Sequence, residues 1–273
     1  MAESFRSPRQ IIRRLKYLLL AARKIRTWPA FMFHYTLGLK PRKPYRFRNG
    51  AQLMIGRALD HVPIIEIFLN EEYGAIPDDA IVLDLGANIG VFSIYATTTA
   101  RNVRVYAYEP FAPFGALLRE NVRLNQQTSA IRCFDCAVAA GSGSRSLHLA
   151  EEGFFFPTLV HSTTSDSGQN KTTAECTTLA QIIDAHQLPR IDLLKMDCEG
   201  AEYEILYSTP ASHLQRIREL RMEYHNLDSL EHHIESLEQF LIGHGFAVTQ
   251  RQASSASNGT LWVRREDARP TRT

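Results

Sequence analysis

The segment Ile81-Val82-Leu83-Asp84-Leu85-Gly86-Ala87-Asn88-Ile89-Gly90-Val91-Phe92-Ser93 constrains this chain more than any other. It reads as an apolar strand running into a glycine-bearing turn and then a helix. Glycines at such a turn let the backbone approach a ligand closely, and the helix presents free N–H groups and its positive dipole end. The surrounding pattern agrees. From about residue 81 strands and helices alternate, as in a parallel sheet covered on both faces. Strands are expected at 81–85, 103–108, 131–137, 191–196, 217–224, 245–250 and 260–265, and helices at 89–99, 113–125, 178–186, 200–208 and 229–242. The last two strands flank the polar stretch Ala253 to Gly259 and have the look of a hairpin. The fold class is therefore α/β, a doubly wound, mostly parallel seven-stranded sheet of Rossmann-like type. Residues 151–175 hold a run of three phenylalanines and then a Ser/Thr-rich stretch without a clear period, and read as a long loop over one sheet edge.

Charge divides the chain unevenly. Residues 1–48 carry thirteen Lys and Arg against the single acid Glu3, leaving eighteen bases against twenty-eight acids in the remainder. The organisation expected is a basic helical extension at 1–48, a catalytic domain at 49–267 and a tail at 268–273. Ser7-Pro8-Arg9-Gln10 is a helix-start signal, with Ser as N-cap and Pro at the first helical position, for a helix running to about Arg26. Ile11, Ile12, Leu15, Leu18, Leu19, Ala22 and Ile25 recur at helical spacing among basic residues. Such a helix, followed by Trp28, Phe31, Phe33 and Tyr35, suits either packing on its own domain or peripheral contact of residues 8–35 with an anionic membrane surface. The longest apolar run there, Tyr17 to Ala22, is too short for a membrane span, and no signal peptide is recognised. The expected location is the cytoplasm, with the inner membrane face as a peripheral site. Cys133, Cys136, Cys176 and Cys198 include one CxxC pair but no second pair to complete a zinc set, so they read as reduced structural thiols.

Spacing also bears on the cofactor. The dinucleotide fingerprint wants glycines at the first, third and sixth positions of GxGxxG, which here are Gly86, Asn88 and Val91. What stands instead is Asp84-x-Gly86-x-Asn88-x-Gly90, with an acid inside the strand end. A carboxylate there suits the cationic amino acid portion of S-adenosylmethionine and would repel a pyrophosphate. The second strand ends in Glu109-Pro110, where an acid can accept both hydroxyls of an adenosine ribose. The third ends near Asp135-Cys136-Ala137, placed to meet the adenine.

The fourth strand carries Lys195-Met196-Asp197-Cys198-Glu199-Gly200-Ala201-Glu202. Alternation puts Lys195 and Asp197 on one face, either as a structural ion pair or lining a polar site where open α/β sheets bind ligands. Glu199 and Glu202 fall in the first turn of a helix, where the dipole stabilises carboxylates. Glu223 and His225 reach the same rim from the next strand.

These motifs resemble the FkbM family of S-adenosylmethionine-dependent methyltransferases, over roughly residues 50–265. The likeness is carried by Asp84 to Gly90, Glu109-Pro110 with Asn121 and Asn125 downstream, Thr178-Leu179, Lys195 to Glu202, and Glu223. It implies O-methylation of a hydroxyl on a sugar, a glycolipid or polysaccharide precursor, or a secondary metabolite. It further implies that Asp84, Gly86, Asn88, Gly90 and Glu109 hold the cofactor, with Asp197 where cofactor and acceptor meet; by their positions in the chain Ala87, Pro110, Cys136 and Ala137 are expected beside them. Lys195 and Glu199 support it there. An alcohol needs a general base, and Asp197 is nominated first, then Glu223 or His225. Clustered carboxylates could hold Mg²⁺, but no spacing demands a metal and none is assigned. An NAD-dependent oxidoreductase and a noncatalytic adenosylmethionine-binding module remain as alternatives. Nucleic acid is not expected as a partner, given the acidic body.

Overall fold

A computed structural model describes residues 8–148, 171–227 and 229–266. Helices α1 (Pro8–Lys24) and α2 (Trp28–Leu37) lead into a small ladder, β1 (Tyr45–Arg46) with β2 (Gln52–Leu53). Short helical turns follow at Ala58–Asp60, α3 (His61–Pro63) and the π-helical Ile64–Leu69. The body then runs β3 (Ile81–Leu85), α4 (Val91–Thr99), β4 (Arg104–Tyr108), α5 (Ala112–Leu124), β5 (Ile131–Phe134), β6 (Ala137–Val138), β7 (Gly143–His148), β8 (Lys171–Thr177), α6 (Leu179–Ala185) and β9 (Leu193–Met196). It closes with α7 (Glu202–Ser208), α8 (Ala211–Leu214), β10 (Glu219–His225), α9 (Ile234–Gly243), β11 (Phe246–Ala253) and β12 (Asn258–Arg265).

Seven strands form one sheet in the order β11-β12-β10-β9-β3-β4-β5. Strands β10, β9, β3, β4 and β5 are parallel, and β12 inserts antiparallel between β10 and β11, so the expected terminal hairpin is present. Every residue of β3 is buried, which is why the strand reads as an unbroken apolar run around Asp84. Chain order runs outward from β3 through β4 to β5, then returns to β9 on β3's other side. The reversal between β3 and β9 is where doubly wound sheets open a crevice at their strand ends. Local chemistry sets the neighbouring helices. Thr178 Oγ accepts from Gln181 N–H while Gln181 Oε1 accepts from Thr178 N–H, a reciprocal cap that starts α6.

Three expectations need correction. The strand expected over 131–137 ends at Phe134, and Ala137 opens β6 in a separate three-stranded sheet of order β6-β8-β7. Part of the loop expected at 151–175 is strand, since β8 begins at Lys171; residues 151–170 lie outside the described residues. The small sheet gathers Ala137, Ala139, Leu147, Ala174 and Cys176 against Phe111, mostly small side chains that write no strong β signature. The helix expected at 229–242 starts properly at Ile234, after a 3₁₀ turn at Leu230–His232. At the other end, α1 covers the expected span, although Ser7, its expected cap, lies outside the described residues. Ala21, Ile25, Phe31, Tyr45 and Phe47 join Ile94 and Val105 in one apolar cluster, so α1 and α2 are packed on the sheet domain. Lys24 Nζ fastens the contact, donating to the carbonyls of Phe68 and Leu69 and pairing with Glu71 at 2.6 Å. No helix among the described residues is long and apolar enough to cross a membrane.

Candidate active site

The turn after β3 is held from three sides. Gly86 and Ala87 N–H groups donate to the Tyr108 carbonyl, Asn88 N–H donates to Glu109 Oε2 at 2.8 Å, and Lys195 Nζ donates to the Gly86 carbonyl at 2.8 Å. Gly86, Asn88 and Gly90 all take positive φ (72°, 50° and 86°), the left-handed geometry that makes Gly and Asn the residues of choice. A Cβ on Gly86 would stand 1.8 Å from the Asp197 carbonyl oxygen, so this glycine is what lets the β9 exit loop close over the turn. Asn121, fully buried at the heart of α5, donates to the carbonyls of Ile89 and Met54 and accepts from Met54 N–H. Asn125 does the same for Gln52.

Two cavities open at the carboxyl ends of the strands. The first, about 580 Å³, is lined by Gly86, Asn88, Tyr108, Glu109, Pro110, Phe114, Cys136, Ala137, Val138, Leu147 and the loop residues Asp197, Cys198, Glu199 and Ala201. The second, about 890 Å³, is lined by Val62, Pro63, Glu66, Ile67, Ala87, Val91, Phe92, Lys195, Glu223, His225 and Asn258. Gly86, Asn88, Asp197 and Glu199 belong to both and form the wall between them.

The first cavity has the parts an adenosine needs. Glu109 is almost fully buried at the end of β4, its Oε1 accepting from Phe111 N–H and its Oε2 from Asn88 N–H. Burial pushes its carboxyl up to about 7, opposed by those two N–H bonds. Cys136, Ala137, Val138, Phe114 and Leu147 supply an apolar slot beside it. Burial holds the Cys136 thiol up at about 11, a protonated and unreactive lining group.

Asp197 dominates the wall. Its Oδ1 is buried without a hydrogen-bond partner, and its Oδ2 lies 4.0 Å from Lys195 Nζ. An orphaned buried carboxylate oxygen costs free energy unless something docks against it. The lysine pairs first with Asp84, its register partner across β3 and β9, at 3.2 Å. Burial lowers the Lys195 pKa, but Asp84 and Asp197 outweigh it and leave the ammonium above its ordinary range. Around the second cavity Glu66 and Glu199 are both pushed up to about 8 and Glu223 to about 7, burial being the largest cause and neighbouring acids the next. For His225 burial acts downward, yet the hydrogen bond and charge of Glu202, then Glu199 and Asp197, raise it to about 10. Asp197, Glu223 and His225 also place three ligand atoms within 4.8 Å of one another.

Most expected site residues converge here. Glu109, Pro110, Cys136 and Ala137 line the first cavity, Gly86, Asn88, Asp197 and Glu199 both, and Ala87, Lys195, Glu223 and His225 the second. Asp84 and Gly90 line neither cavity. Asp84 is fully buried, with Oδ2 accepting from Ser93 Oγ at 2.6 Å, so it acts through Lys195. Gly90 serves packing, a Cβ there meeting Leu118 Cδ1 at 2.4 Å.

Glu202 is more than a helix-dipole acid. Fully buried, it accepts from Cys198 N–H at 2.7 Å and Gly200 N–H at 2.9 Å, pinning the loop that forms the wall, and faces His225 Nδ1 at 3.4 Å. Glu66 went unnoticed in the sequence, although a lone acid inside the apolar run Ile64–Leu69 was the available signal.

The family model for the methyltransferase FkbM domain matches residues 84–248, from the first-strand acid to β11. The chain belongs to the FkbM methyltransferase family. Among relatives of this FkbM methyltransferase, methyltransferase sdnD of Sordaria araneosa is 26% identical over 238 residues, covering 74% of this chain and 88% of sdnD. The 31-O-demethyl-FK506 methyltransferase FkbM of Streptomyces tacrolimicus is 28% identical over 200 residues, covering 63% and 74%. AMB antimetabolite synthetase AmbE of Pseudomonas aeruginosa is 29% identical over 228 residues, 68% of this chain but only 10% of AmbE, so the chain spans about a tenth of that relative. The solved structure of methyltransferase FkbM from Methylobacillus flagellatus aligns over 93% of this chain and 60% of its own, with a TM-score of 0.48 and 13% identity. Membership makes this FkbM methyltransferase an S-adenosylmethionine-dependent enzyme and removes the nicotinamide alternative. The first cavity fits that cofactor by its donor set: a buried carboxylate for ribose, an apolar slot for adenine, and a glycine turn that admits close approach.

Proposed function

We propose that this methyltransferase transfers a methyl group to a hydroxyl oxygen of a sugar, a glycolipid or polysaccharide precursor, or a secondary metabolite. The observation that carries the reading is Asp197, standing in the wall common to both cavities with one buried oxygen unsatisfied. S-adenosylmethionine supplies an electrophilic methyl on a sulfonium. Glu109 would hold its ribose hydroxyls, and Gly86 and Asn88 its amino acid end. On the acceptor side Asp197 takes the hydroxyl proton as the oxygen attacks, while Lys195, clamped by Asp84 and the Gly86 carbonyl, holds the carboxylate in place. A positioned base of this kind contributes ~10²–10⁴-fold. Glu66 and Glu199, both raised to about 8, stay protonated at neutral pH and offer neutral hydrogen-bond groups to a polyol. One relative is named for 31-O-demethyl-FK506, an oxygen acceptor by that name.

The test is to incubate the enzyme with methyl-labelled S-adenosylmethionine and a panel of glycosides, lipid-linked sugars and macrolide alcohols, and to locate the label by mass spectrometry. A methyl ether as the product, with Asp197→Asn at least 100-fold slower while binding S-adenosylhomocysteine normally, supports the assignment. Methylation only at nitrogen or carbon, or an undiminished Asp197→Asn enzyme, overturns it.

A further inference from the structure

Six of the eleven large apolar side chains left exposed among the described residues lie between residues 12 and 39: Ile12, Leu15, Leu19, Phe33, Leu37 and Leu39, each 43–66% exposed. Helix α1 has two apolar faces. One holds Ala21 and Ile25, with Tyr17 and Leu20 packed against the core. The other, Ile12, Leu15 and Leu19 at i, i+3 and i+7, meets solvent. Exposed Lys16 and Arg23 alternate with Ile12 and Leu19 at helical spacing, so bases border the apolar stripe. On α2, Phe33 and Leu37 at i and i+4 repeat the pattern, followed by Leu39 and the exposed bases Lys40, Arg42 and Lys43.

A helix that only covers its own domain has no use for a second apolar stripe. Charge selects the occupant. Residues 1–48 hold thirteen bases against one acid, so two copies meeting through this face would set base against base. A polyanionic nucleic acid would answer the bases and leave the apolar side chains in water. An anionic bilayer answers both, taking the apolar side chains at its acyl boundary and the bases at its headgroups.

We propose that α1 and α2 dock this enzyme onto an anionic phospholipid bilayer, with Ile12, Leu15, Leu19, Phe33 and Leu37 entering the interface and Lys16, Arg23, Lys40 and Arg42 at the phosphates. The docked arm sits beside the acceptor cavity. Phe31 and Tyr35 of α2 pack on His61 at ring separations of 5.3 and 5.9 Å, and the next residues, Val62 and Pro63, line that cavity. Tyr45 Oη ties the same corner together, bonded to His34 Nδ1 at 2.9 Å and His61 Nε2 at 2.8 Å. The docking is independent of which atom receives the methyl group.

The test is co-sedimentation of the full chain with vesicles of phosphatidylcholine alone and of phosphatidylcholine with phosphatidylglycerol, at low and high salt. Expected is pelleting with the anionic vesicles only, reversed by salt. The double variant Leu15→Glu/Leu19→Glu should abolish it, and Lys16→Ala/Arg23→Ala should weaken partitioning about 25-fold, roughly fivefold per base. Both variants should bind S-adenosylhomocysteine with wild-type affinity, which shows that they are folded. No pelleting with anionic vesicles, equal pelleting with neutral ones, or pelleting indifferent to the leucine changes overturns the proposal. So does a wild-type dimer that the leucine variant dissociates, which would make this face a contact between copies.

Discussion

Replacing Glu202 by alanine should damage the site without touching either cavity's lining directly. Its carboxylate accepts two loop N–H groups, from Cys198 and Gly200, and the second of these bonds is wholly buried. A buried donor stripped of its partner costs about 1–3 kcal/mol. The Gly200 N–H should incur the upper part of that range and the Cys198 N–H, closer to solvent, the lower. Relaxation of Glu199 from its left-handed φ of 53° returns part of it, a conformation that costs roughly 1–2 kcal/mol. The net expectation is about 2–3 kcal/mol, and about half of that for Glu202→Gln, which keeps one acceptor oxygen. Urea denaturation followed by Trp28 and Trp262 fluorescence reads this as a lower midpoint at unchanged slope. Because the loop walls both cavities, affinity for S-adenosylhomocysteine should fall at least tenfold in Glu202→Ala. Stability within 0.5 kcal/mol of wild type, together with unchanged affinity, would refute the clip.

Glu66→Gln should be nearly neutral at pH 5 and stabilising, on the order of 2 kcal/mol, at pH 8. The Glu66 carboxyl is raised to about 8 from 4.5, so the folded state binds its proton more tightly and stability is lost as pH rises through that window; glutamine mimics the protonated form. A pH-independent effect would contradict it. His225 has linkage of the same sign in a higher window, a base raised to about 10 from 6.5. Its contribution should be complete below pH 6.5 and fade as pH passes 10, and an imidazole NMR titration should find the ring still cationic at pH 8. The two turn glycines should separate cleanly. Gly86→Ala sets a Cβ against backbone and should abolish S-adenosylhomocysteine binding, whereas Gly90→Ala meets only the tip of Leu118 and should cost about 1–3 kcal/mol of stability with binding kept. Equal loss of binding in both would show that the contact with the Asp197 carbonyl is not what matters.

The sequence alone determined the sheet and the glycine turn that walls the two cavities. Strands buried on both faces must be apolar throughout, so β3 and β9 stand out, and any acid or lysine within them signals a reason to be there. The glycine turn and Glu109 were legible because the turn's left-handed backbone and the acid at the next strand's end fall at fixed spacing along one βαβ unit. Tertiary structure decided the rest. That Lys195 pairs with Asp84 before Asp197 depends on the register of β9 against β3, which no local pattern encodes. Glu66 joins the second cavity because a π-helical turn far from the motifs packs over the strand ends. The small β6-β8-β7 sheet has too little apolar surface to announce itself. Likewise, which face of α1 is buried follows from where α2 and the Ile64–Leu69 turn meet it. Periodicity shows that a helix has an apolar surface, and only packing determines how much of that surface the fold itself consumes.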